Sequence, residues 1–103
     1  MKINTETNLN PSEIVFMQSN ANYTFVHTEN KRYISSRTLK VLATRIDAKC
    51  FMKIKRGILI NKNYIAGFIS NIDEPYILLS NGKILPVSRR LYAAVCKGLK
   101  IIK

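Results

Sequence analysis

The chain has 103 residues, with 17 Lys and Arg against 6 Asp and Glu, a formal net charge of +11 and 47% hydrophobic residues. This hydrophobic content is enough to bury a core, which excludes a disordered tail, and the length suits one domain. A small folded domain this basic typically binds a polyanion such as DNA, RNA or an anionic membrane. No stretch approaches a membrane span or a signal peptide, so we expect a cytoplasmic protein without a membrane partner.

The first third of the sequence predicts three short strands after a polar lead-in. Residues 1–12 are rich in turn formers, so we expect a lead-in there and a single domain over residues 13–103. The apolar run 14–17 predicts a strand. Residues 23–28 and 32–35 carry aromatic and β-branched side chains on either side of a turn, which predicts a hairpin.

Between residues 38 and 46 the apolar period changes to that of a helix. The positions that share one helical face are Leu39, Leu42, Ala43 and Ile46. Thr38 precedes this face and can cap the helix through its hydroxyl. We therefore expect a short helix that covers one side of a sheet, with Lys40 and Arg45 on its other side.

The stretch 51–61 consists of two apolar strands around a basic turn, and the rest of the chain is arranged about it. In its first strand apolar and lysine side chains alternate, which is typical of a half-buried strand. Residues 58–60 are all aliphatic and predict a strand buried on both faces. Because Gly57 lacks a Cβ, it permits a turn that directs Lys55 and Arg56 outward.

A second hairpin is predicted near the end of the chain. The remaining apolar runs predict strands at residues 65–69, 76–79 and 84–87. Asn81 and Gly82 lie between the last two runs, and this dipeptide is typical of a two-residue turn with positive φ at both positions. Pro86 lacks an N–H group, so its strand is expected at the edge of a sheet or to end there.

The chain ends in a second predicted helix. Its apolar positions are Leu91, Ala94, Val95 and Leu99. Ser88 stands where an N-cap belongs, so Arg89 and Arg90 would lie in the first helical turn. Positive charge there opposes the helix dipole, whereas a bound phosphate would make two guanidiniums favourable at that place.

The residue types that most enzymes and metal sites need are scarce. His27 is the only histidine, lies in a predicted strand and is interpreted as structural. The six acidic residues are too scattered for a two-metal nuclease, and no glycine-rich nucleotide motif occurs. Cys50 and Cys96 lack a CxxC spacing and are interpreted as ordinary packed thiols. We therefore expect a protein that is not an enzyme and binds no metal or cofactor.

Four segments in register resemble the LytTR family of bacterial DNA-binding domains, from about residue 13 onward. Residues 14–26 are similar to the strand pair I-x-x-x-x-x-x-x-N-Y-x-x-V, and residues 38–42 (TLKVL) to the helix start S/T-L-K-x-L. Residues 51–61 (FMKIKRGILIN) are similar to F-x-R-x-H-R-S-x-x-V-N, and residues 81–90 (NGKILPVSRR) to N-G-x-x-x-P-V-S-R-R. Each motif alone is weak, whereas the four in order are specific.

The central motif departs from the family pattern at two positions. Lys55 stands where the family usually has His, and Gly57 stands where it usually has Ser. The lysine retains a donor and the charge but loses the planar ring and its acceptor, and Gly57 lacks a hydroxyl that could contact a phosphate. We expect these changes to affect the base preference more than DNA binding itself.

The resemblance implies a mostly β, elongated fold of small packed sheets with one short helix and a C-terminal helix. It also implies a transcription-regulator output domain of the kind found in two-component systems, whose loops enter successive major grooves of double-stranded DNA. Its expected protein partner is a receiver domain or a second copy on repeated half-sites. The chain would then be either a stand-alone regulator or part of a longer one.

Carried over residue by residue, the resemblance implies three DNA-contacting loops. Their residues are Asn20, Asn22 and Tyr23 in the first loop, Lys53, Lys55, Arg56 and Gly57 in the second, and Ser88, Arg89 and Arg90 in the third. Arg56 and Arg90 are the best candidates to read guanine O6 and N7 in the major groove. The residues that suit phosphate contacts are Lys53, Lys55, Ser88 and Arg89. Asn22 and Tyr23 could serve either role.

Two other functions remain open from the sequence. A small basic RNA-binding or ribosome-associated protein would share the size and charge, and would need exposed aromatic side chains on a sheet face. Tyr23, Phe25 and Tyr33 are candidates, although strand alternation assigns Phe25 to the core. A protein–protein adaptor with incidental charge would bind its partner with little dependence on salt.

Overall fold

The computed structural model describes residues 1–70 and 73–99, and its principal extents are 43 × 23 × 21 Å, which confirms an elongated, mostly β fold. Its strands and helices are β1 (Ile14–Asn20), β2 (Tyr23–Thr28), β3 (Arg32–Ser35), α1 (Leu39–Ala43), β4 (Phe51–Lys55), β5 (Ile58–Asn61), β6 (Ile65–Ile69), β7 (Tyr76–Leu79), β8 (Ile84–Pro86) and α2 (Tyr92–Gly98). Short 3-10 turns precede β1, β6 and α2, at Pro11–Glu13, Lys62–Tyr64 and Arg89–Leu91. None of the helices in the described ranges is long and apolar enough to cross a bilayer.

The strands form two antiparallel sheets. The larger sheet has the order β3-β2-β1-β5-β4, so β1 is central and pairs with β2 on one side and with β5 on the other. The smaller sheet is the meander β6-β7-β8, and β8 is at its edge. Pro86 therefore lies at a sheet edge as predicted, because a residue without an N–H group cannot complete a ladder on both sides.

A β-bulge at Val15 changes which side chains of the central strand share a face of the larger sheet. The pairing of β1 with β2 skips Val15, which is thus an extra residue in β1. As a result, the neighbours Val15 and Phe16 belong to one hydrophobic cluster, whereas Ile14 and Met17 belong to another. All four side chains are buried, so neither face of the sheet is left to solvent at its centre.

The first hydrophobic cluster joins one face of the larger sheet to the smaller sheet and to α2. Its buried members are Val15, Phe16, Ile54, Ile58, Ile60, Ile77, Leu79, Leu85, Val87 and Val95. Between Ile58 and Ile60, the side chain of Leu59 packs against the second cluster on the opposite face. The prediction that residues 58–60 are covered on both faces is therefore confirmed.

The second hydrophobic cluster lies on the other face, under α1 and the N-terminal segment. Leu42 of α1 and Phe51 of β4 are buried in it. So are Ile3 and Leu9, which are 0% and 6% exposed. Residues 1–12, predicted as a polar lead-in, therefore pack on the domain through two apolar side chains. The sequence pattern did not predict this, because both side chains are surrounded in sequence by polar residues. The boundary predicted at residue 13 stays a prediction.

Both helices are shorter than the sequence predicts. Thr38 caps α1 as predicted, since its Oγ1 accepts from the Val41 N–H at 3.3 Å. The helix ends at Ala43 because the next turn tightens: the Thr44 N–H donates to the Val41 carbonyl three residues back, and the Thr44 hydroxyl donates to the same oxygen. The second helix, α2, begins at Tyr92 rather than directly after Ser88.

The hairpin between β7 and β8 is present, but its predicted two-residue turn is wrong. Gly82 has φ +87°, whereas Asn81 does not have a positive φ. The Gly82 N–H donates to the Leu79 carbonyl at 2.9 Å, and the Leu79 N–H donates to the Lys83 carbonyl at 2.8 Å. These bonds close a three-residue loop with glycine at the left-handed position, the next most common hairpin connection.

Candidate nucleic-acid interface

The basic turn between β4 and β5 is exposed and stands on two paired strands. Gly57 has φ +83°, a conformation that a residue with a Cβ adopts at a cost, which confirms the role predicted for a glycine here. Lys55 and Arg56 are exposed directly before Gly57. Lys55 pairs with Ile58 across the turn, so Arg56 projects from a base that the strand pairing holds.

A second bulge, at Ile54, sends the two lysines of β4 to opposite faces. Lys53 pairs with Leu59, and Lys55 pairs with Ile58, so the register skips Ile54. Paired residues share a face of the sheet. Lys53 therefore lies on the face that α1 covers, and Lys55 lies on the face that the smaller sheet covers. Simple alternation would have placed both on the same face.

The first predicted loop lies directly against the basic turn. Its residues Asn20, Asn22 and Tyr23 are all exposed, and Tyr23 is 53% exposed. Ser19, just before the loop, donates its N–H to the Gly57 carbonyl at 2.8 Å. Ala21 at the loop tip has φ +54°, which costs about 1–2 kcal/mol for a residue with a Cβ. The loop thus contains local strain next to the cationic turn.

The third predicted loop is also joined to the central hairpin. Ser88 donates its N–H to the Ile54 carbonyl at 2.9 Å. Its Oγ accepts from the Leu91 N–H at 3.2 Å and so caps the 3-10 turn. Arg89 and Arg90 are exposed within that turn. Since both backbone links end at the β4–β5 hairpin, the structure brings all three predicted loops together around it.

The reasoning from the helix dipole is wrong for the two arginines. Arg89 and Arg90 lie in the 3-10 turn before α2, not in the first turn of an α-helix. The Arg89 guanidinium donates through Nη2 to the Asp73 carbonyl at 3.3 Å, and Asp73 and Glu74 line the same hollow as Arg89. Arg89 is therefore engaged within the chain, whereas the Arg90 side chain makes no hydrogen bond within residues 1–70 and 73–99.

A cleft of about 420 Å³ separates α1 from the basic turn. Its lining residues are Ser19, Leu39, Lys40, Ala43, Lys53, Arg56, Gly57, Ile58 and Leu59. Sequence reasoning missed Ser19 and Lys40 as candidates for the interface. The sequence predicts Lys40 on the exposed side of a helix, but nothing in the sequence places α1 beside the turn between β4 and β5.

Two acidic side chains lie at the end of β1 remote from this cleft. Glu13 and Glu29 line a hollow with Tyr64, where β1 begins and β2 ends. Burial raises the pKa of the Tyr64 hydroxyl, and the negative charges of Glu29 and Glu13 raise it further. The basic turn adjoins the other end of β1, so these two carboxylates lie at the opposite end of the central strand from the basic turn.

The sequence model of the LytTr DNA-binding domain family matches residues 5–100. The chain belongs to the LytTR family. In three dimensions this LytTR domain is similar to the LytTr DNA-binding domain of a provisionally assigned methyl-accepting/DNA response regulator from Bacillus cereus, with a TM-score of 0.82 and 18% identity. The similarity covers 93% of this chain and 91% of the other, and shows a shared fold. No curated protein matches the sequence significantly.

The aromatic side chains of this LytTR domain do not form a platform for stacking bases. Tyr23 and Phe25 alternate onto one face of β2, whereas Tyr33 packs against the second cluster on the other face. The Arg32 guanidinium covers the Phe25 ring at 4.5 Å. Phe25 is half-buried rather than in the core, because the buried residues of β2 are Thr24 and Val26.

The histidine of the LytTR domain packs against an aromatic ring, and its two cysteines are free thiols. The His27 ring stacks on Phe16 with centroids 4.0 Å apart. Burial, together with the nearby cations Lys83 and Arg32, lowers the pKa of His27 to about 4. Cys50 and Cys96 are free, and within the described residues no three His, Cys, Asp or Glu side chains are grouped to hold a metal.

Proposed function

We propose that this LytTR domain binds duplex DNA sequence-specifically, with its three loops entering successive major grooves on one face of the helix. The observation that carries the proposal is the pair of backbone hydrogen bonds from Ser19 to Gly57 and from Ser88 to Ile54. They tie the first and third loops to a hairpin whose turn is cationic and exposed. The net charge of +11 supplies the long-range attraction for a polyanion.

The loops divide the work between base edges and phosphates. Arg56 and Arg90 are exposed and have the planar fork that fits guanine O6 and N7. Lys53 and Lys55, directed to opposite faces of the sheet, suit phosphates on either side of the groove. Ser88 and Arg89 suit phosphates near the third loop, although each side chain already makes a hydrogen bond to a backbone group. Asn22 and Tyr23 could take either role, and Asn20 lies beside them in the first loop.

We further propose that the domain acts as the output part of a transcription regulator. Its partner would be a receiver domain or a second copy of the domain on a repeated half-site. The LytTR family model, and the likeness to a domain from a response regulator, support this assignment. Sedimentation of the domain on duplexes with one and with two half-sites distinguishes a single bound copy from a pair.

The first test is the salt dependence of binding. Each phosphate neutralised by Lys or Arg contributes a slope of about −0.9 to log K against log salt. We expect at least a tenfold loss of affinity for nonspecific duplex DNA between about 50 and 200 mM salt. A flat profile would contradict nucleic-acid binding and favour a protein–protein adaptor. In a competition with single-stranded RNA, duplex DNA should win; the reverse would favour an RNA-binding protein.

The second test separates base readers from phosphate contacts. Arg56→Ala or Arg90→Ala should cost roughly 1–3 kcal/mol on the preferred site and relax the base preference at one position. Lys53→Ala should weaken all sequences about equally and reduce the salt slope by about one. Affinities for matched and base-substituted duplexes, selected from a random pool, give the answer. Uniform losses for the arginine variants would show that these arginines bind phosphates instead.

A further inference from the structure

The cleft between α1 and the basic turn combines apolar and cationic side chains. Leu39 and Leu59 line it and are half-buried. Three exposed cations from three separate elements line the same space: Lys40 of α1, Lys53 of β4 and Arg56 of the turn. Among the residues that the structure describes, no acidic side chain lines it. The fold has therefore concentrated positive charge around one hollow.

Nothing inside the described part of the chain neutralises these cations. Over residues 1–70 and 73–99, the side chains of Lys40, Lys53 and Arg56 form no hydrogen bond, ion pair or contact with an aromatic ring. Other cations of the domain do have such contacts, since Lys31 and Arg32 lie over aromatic rings. Unneutralised like charges around a hollow repel one another, and an anion between them removes that repulsion.

The regular register of β4 directs Lys53 into this space, because Phe51, Met52 and Lys53 pair in order with Asn61, Ile60 and Leu59, before the bulge at Ile54. This pairing places Lys53 on the face of the sheet that α1 covers, while Lys55, beyond the bulge, goes to the other face. The Ser19 hydroxyl also lines the cleft and can donate a hydrogen bond. Lysine ammonium groups and serine hydroxyls commonly donate hydrogen bonds to phosphate oxygens in protein–DNA interfaces. The cleft offers two such ammonium groups and one such hydroxyl.

We propose that this cleft is a phosphate clamp in which Lys40 and Lys53 hold one backbone phosphate of the bound duplex, so that Arg56 on the same rim reaches the neighbouring base. Lys40 is then a positioning residue of the DNA interface, and α1 is part of that interface rather than only a cover for the sheet. This inference rests on the proposed function. It adds a fourth contacting element to the three loops.

The test compares Lys40→Gln with Lys49→Gln. Both variants remove one exposed lysine charge, but Lys49 is two residues before Phe51, at the end of the hairpin remote from the turn. We expect Lys40→Gln to weaken binding to the preferred duplex roughly threefold to tenfold at ~100 mM salt and to reduce the salt slope by about 0.9. Lys49→Gln should change the affinity less than about twofold, with both variants melting like the unchanged domain.

A duplex with one neutral methylphosphonate at a time identifies the clamped phosphate. For the unchanged domain and for Lys49→Gln, one position should weaken binding most. At that position Lys40→Gln and Lys53→Gln should lose nothing further, because the charge they bind is already absent. Equal affinities of Lys40→Gln and Lys49→Gln, or Lys40→Gln and Lys53→Gln responding to different phosphates, would overturn the clamp. Failure of the unchanged domain to bind any duplex would overturn the proposed function itself.

Discussion

The two ends of the β4–β5 hairpin differ in burial and in hydrogen bonding. At one end Phe51 pairs with Asn61, and these residues are only 6% and 1% exposed. The Asn61 side chain donates to the Ile14 carbonyl at 3.0 Å and accepts from the Asn63 N–H at 3.0 Å. At the other end the exposed turn of Lys55 and Arg56 makes no comparable side-chain bond within the described residues.

The eleven-residue central motif, residues 51–61, combines two kinds of residue. Its first and last residues, Phe51 and Asn61, hold the sheet together, because one fills a cluster and the other links β5 to the start of β1. Its middle residues, from Lys53 to Gly57, carry the cations. A motif that characterises a DNA-binding domain thus contains residues whose loss should unfold the protein and residues whose loss should only release DNA.

Asn61→Ala should produce the largest loss of stability. It leaves the buried Ile14 carbonyl without a donor and removes the cap of the 3-10 turn at Lys62–Tyr64. We expect the free energy of unfolding to fall by roughly 2–4 kcal/mol. Chemical denaturation measures it, with Arg56→Ala as the control, which should change stability by no more than about 0.5 kcal/mol while weakening DNA binding. Similar stabilities for the two variants would contradict the proposed difference between the buried end and the exposed end of the β4–β5 hairpin.

Replacing each of the two glycines that have positive φ by alanine should destabilise the domain to different extents. At Gly82 an added Cβ would meet nothing within 4 Å, so Gly82→Ala should cost only the backbone strain of about 1–2 kcal/mol. At Gly57 the Cβ would lie 2.5 Å from the Ser19 Oγ, so Gly57→Ala should cost more.

Removing that hydroxyl in the Ser19→Ala/Gly57→Ala double variant should bring the stability loss down to that of Gly82→Ala. DNA affinity should fall for Gly57→Ala, which shifts the cationic turn, and should stay unchanged for Gly82→Ala. Melting curves and binding isotherms give both quantities. Equal DNA affinities for the two single variants would show that the geometry of the basic turn is unimportant for binding.

The His27 ring should make stability depend on pH between about 6.5 and 4. Its pKa in the folded chain, about 4, is below the ordinary value of 6.5, so the unfolded chain takes up the proton first as pH falls. Stability is therefore complete above pH 6.5 and declines toward pH 4, by about 1 kcal/mol once the partial exposure of the ring is allowed for. In His27→Phe, which retains a ring against Phe16, this part of the pH dependence should vanish; an unchanged curve would assign it to the carboxylates.

Most of the secondary structure could be predicted from local patterns. The strands at 14–17, 23–28 and 32–35 were evident because alternation and β-branched content act over a few residues. Capping at Thr38 and Ser88 was also predictable, since a hydroxyl three residues before a free N–H is a local arrangement. The order of motifs was sufficient to identify the family, because each motif lies in one continuous stretch.

Composition and local patterns were enough to establish the basic charge, the fold class, the exposed turn around Gly57 and the ten candidate contact residues, whose DNA contacts stay a prediction. Which cations share a surface depends instead on the three-dimensional packing. The bulges at Val15 and Ile54 each insert one extra residue, which shifts the side chains that follow to the other face of the sheet. The sequence pattern does not reveal where such an extra residue occurs. Likewise Lys40 and Lys53, thirteen positions apart, meet at one cleft because α1 folds over the larger sheet. Such proximity depends on the packing of the whole core, which no local pattern contains.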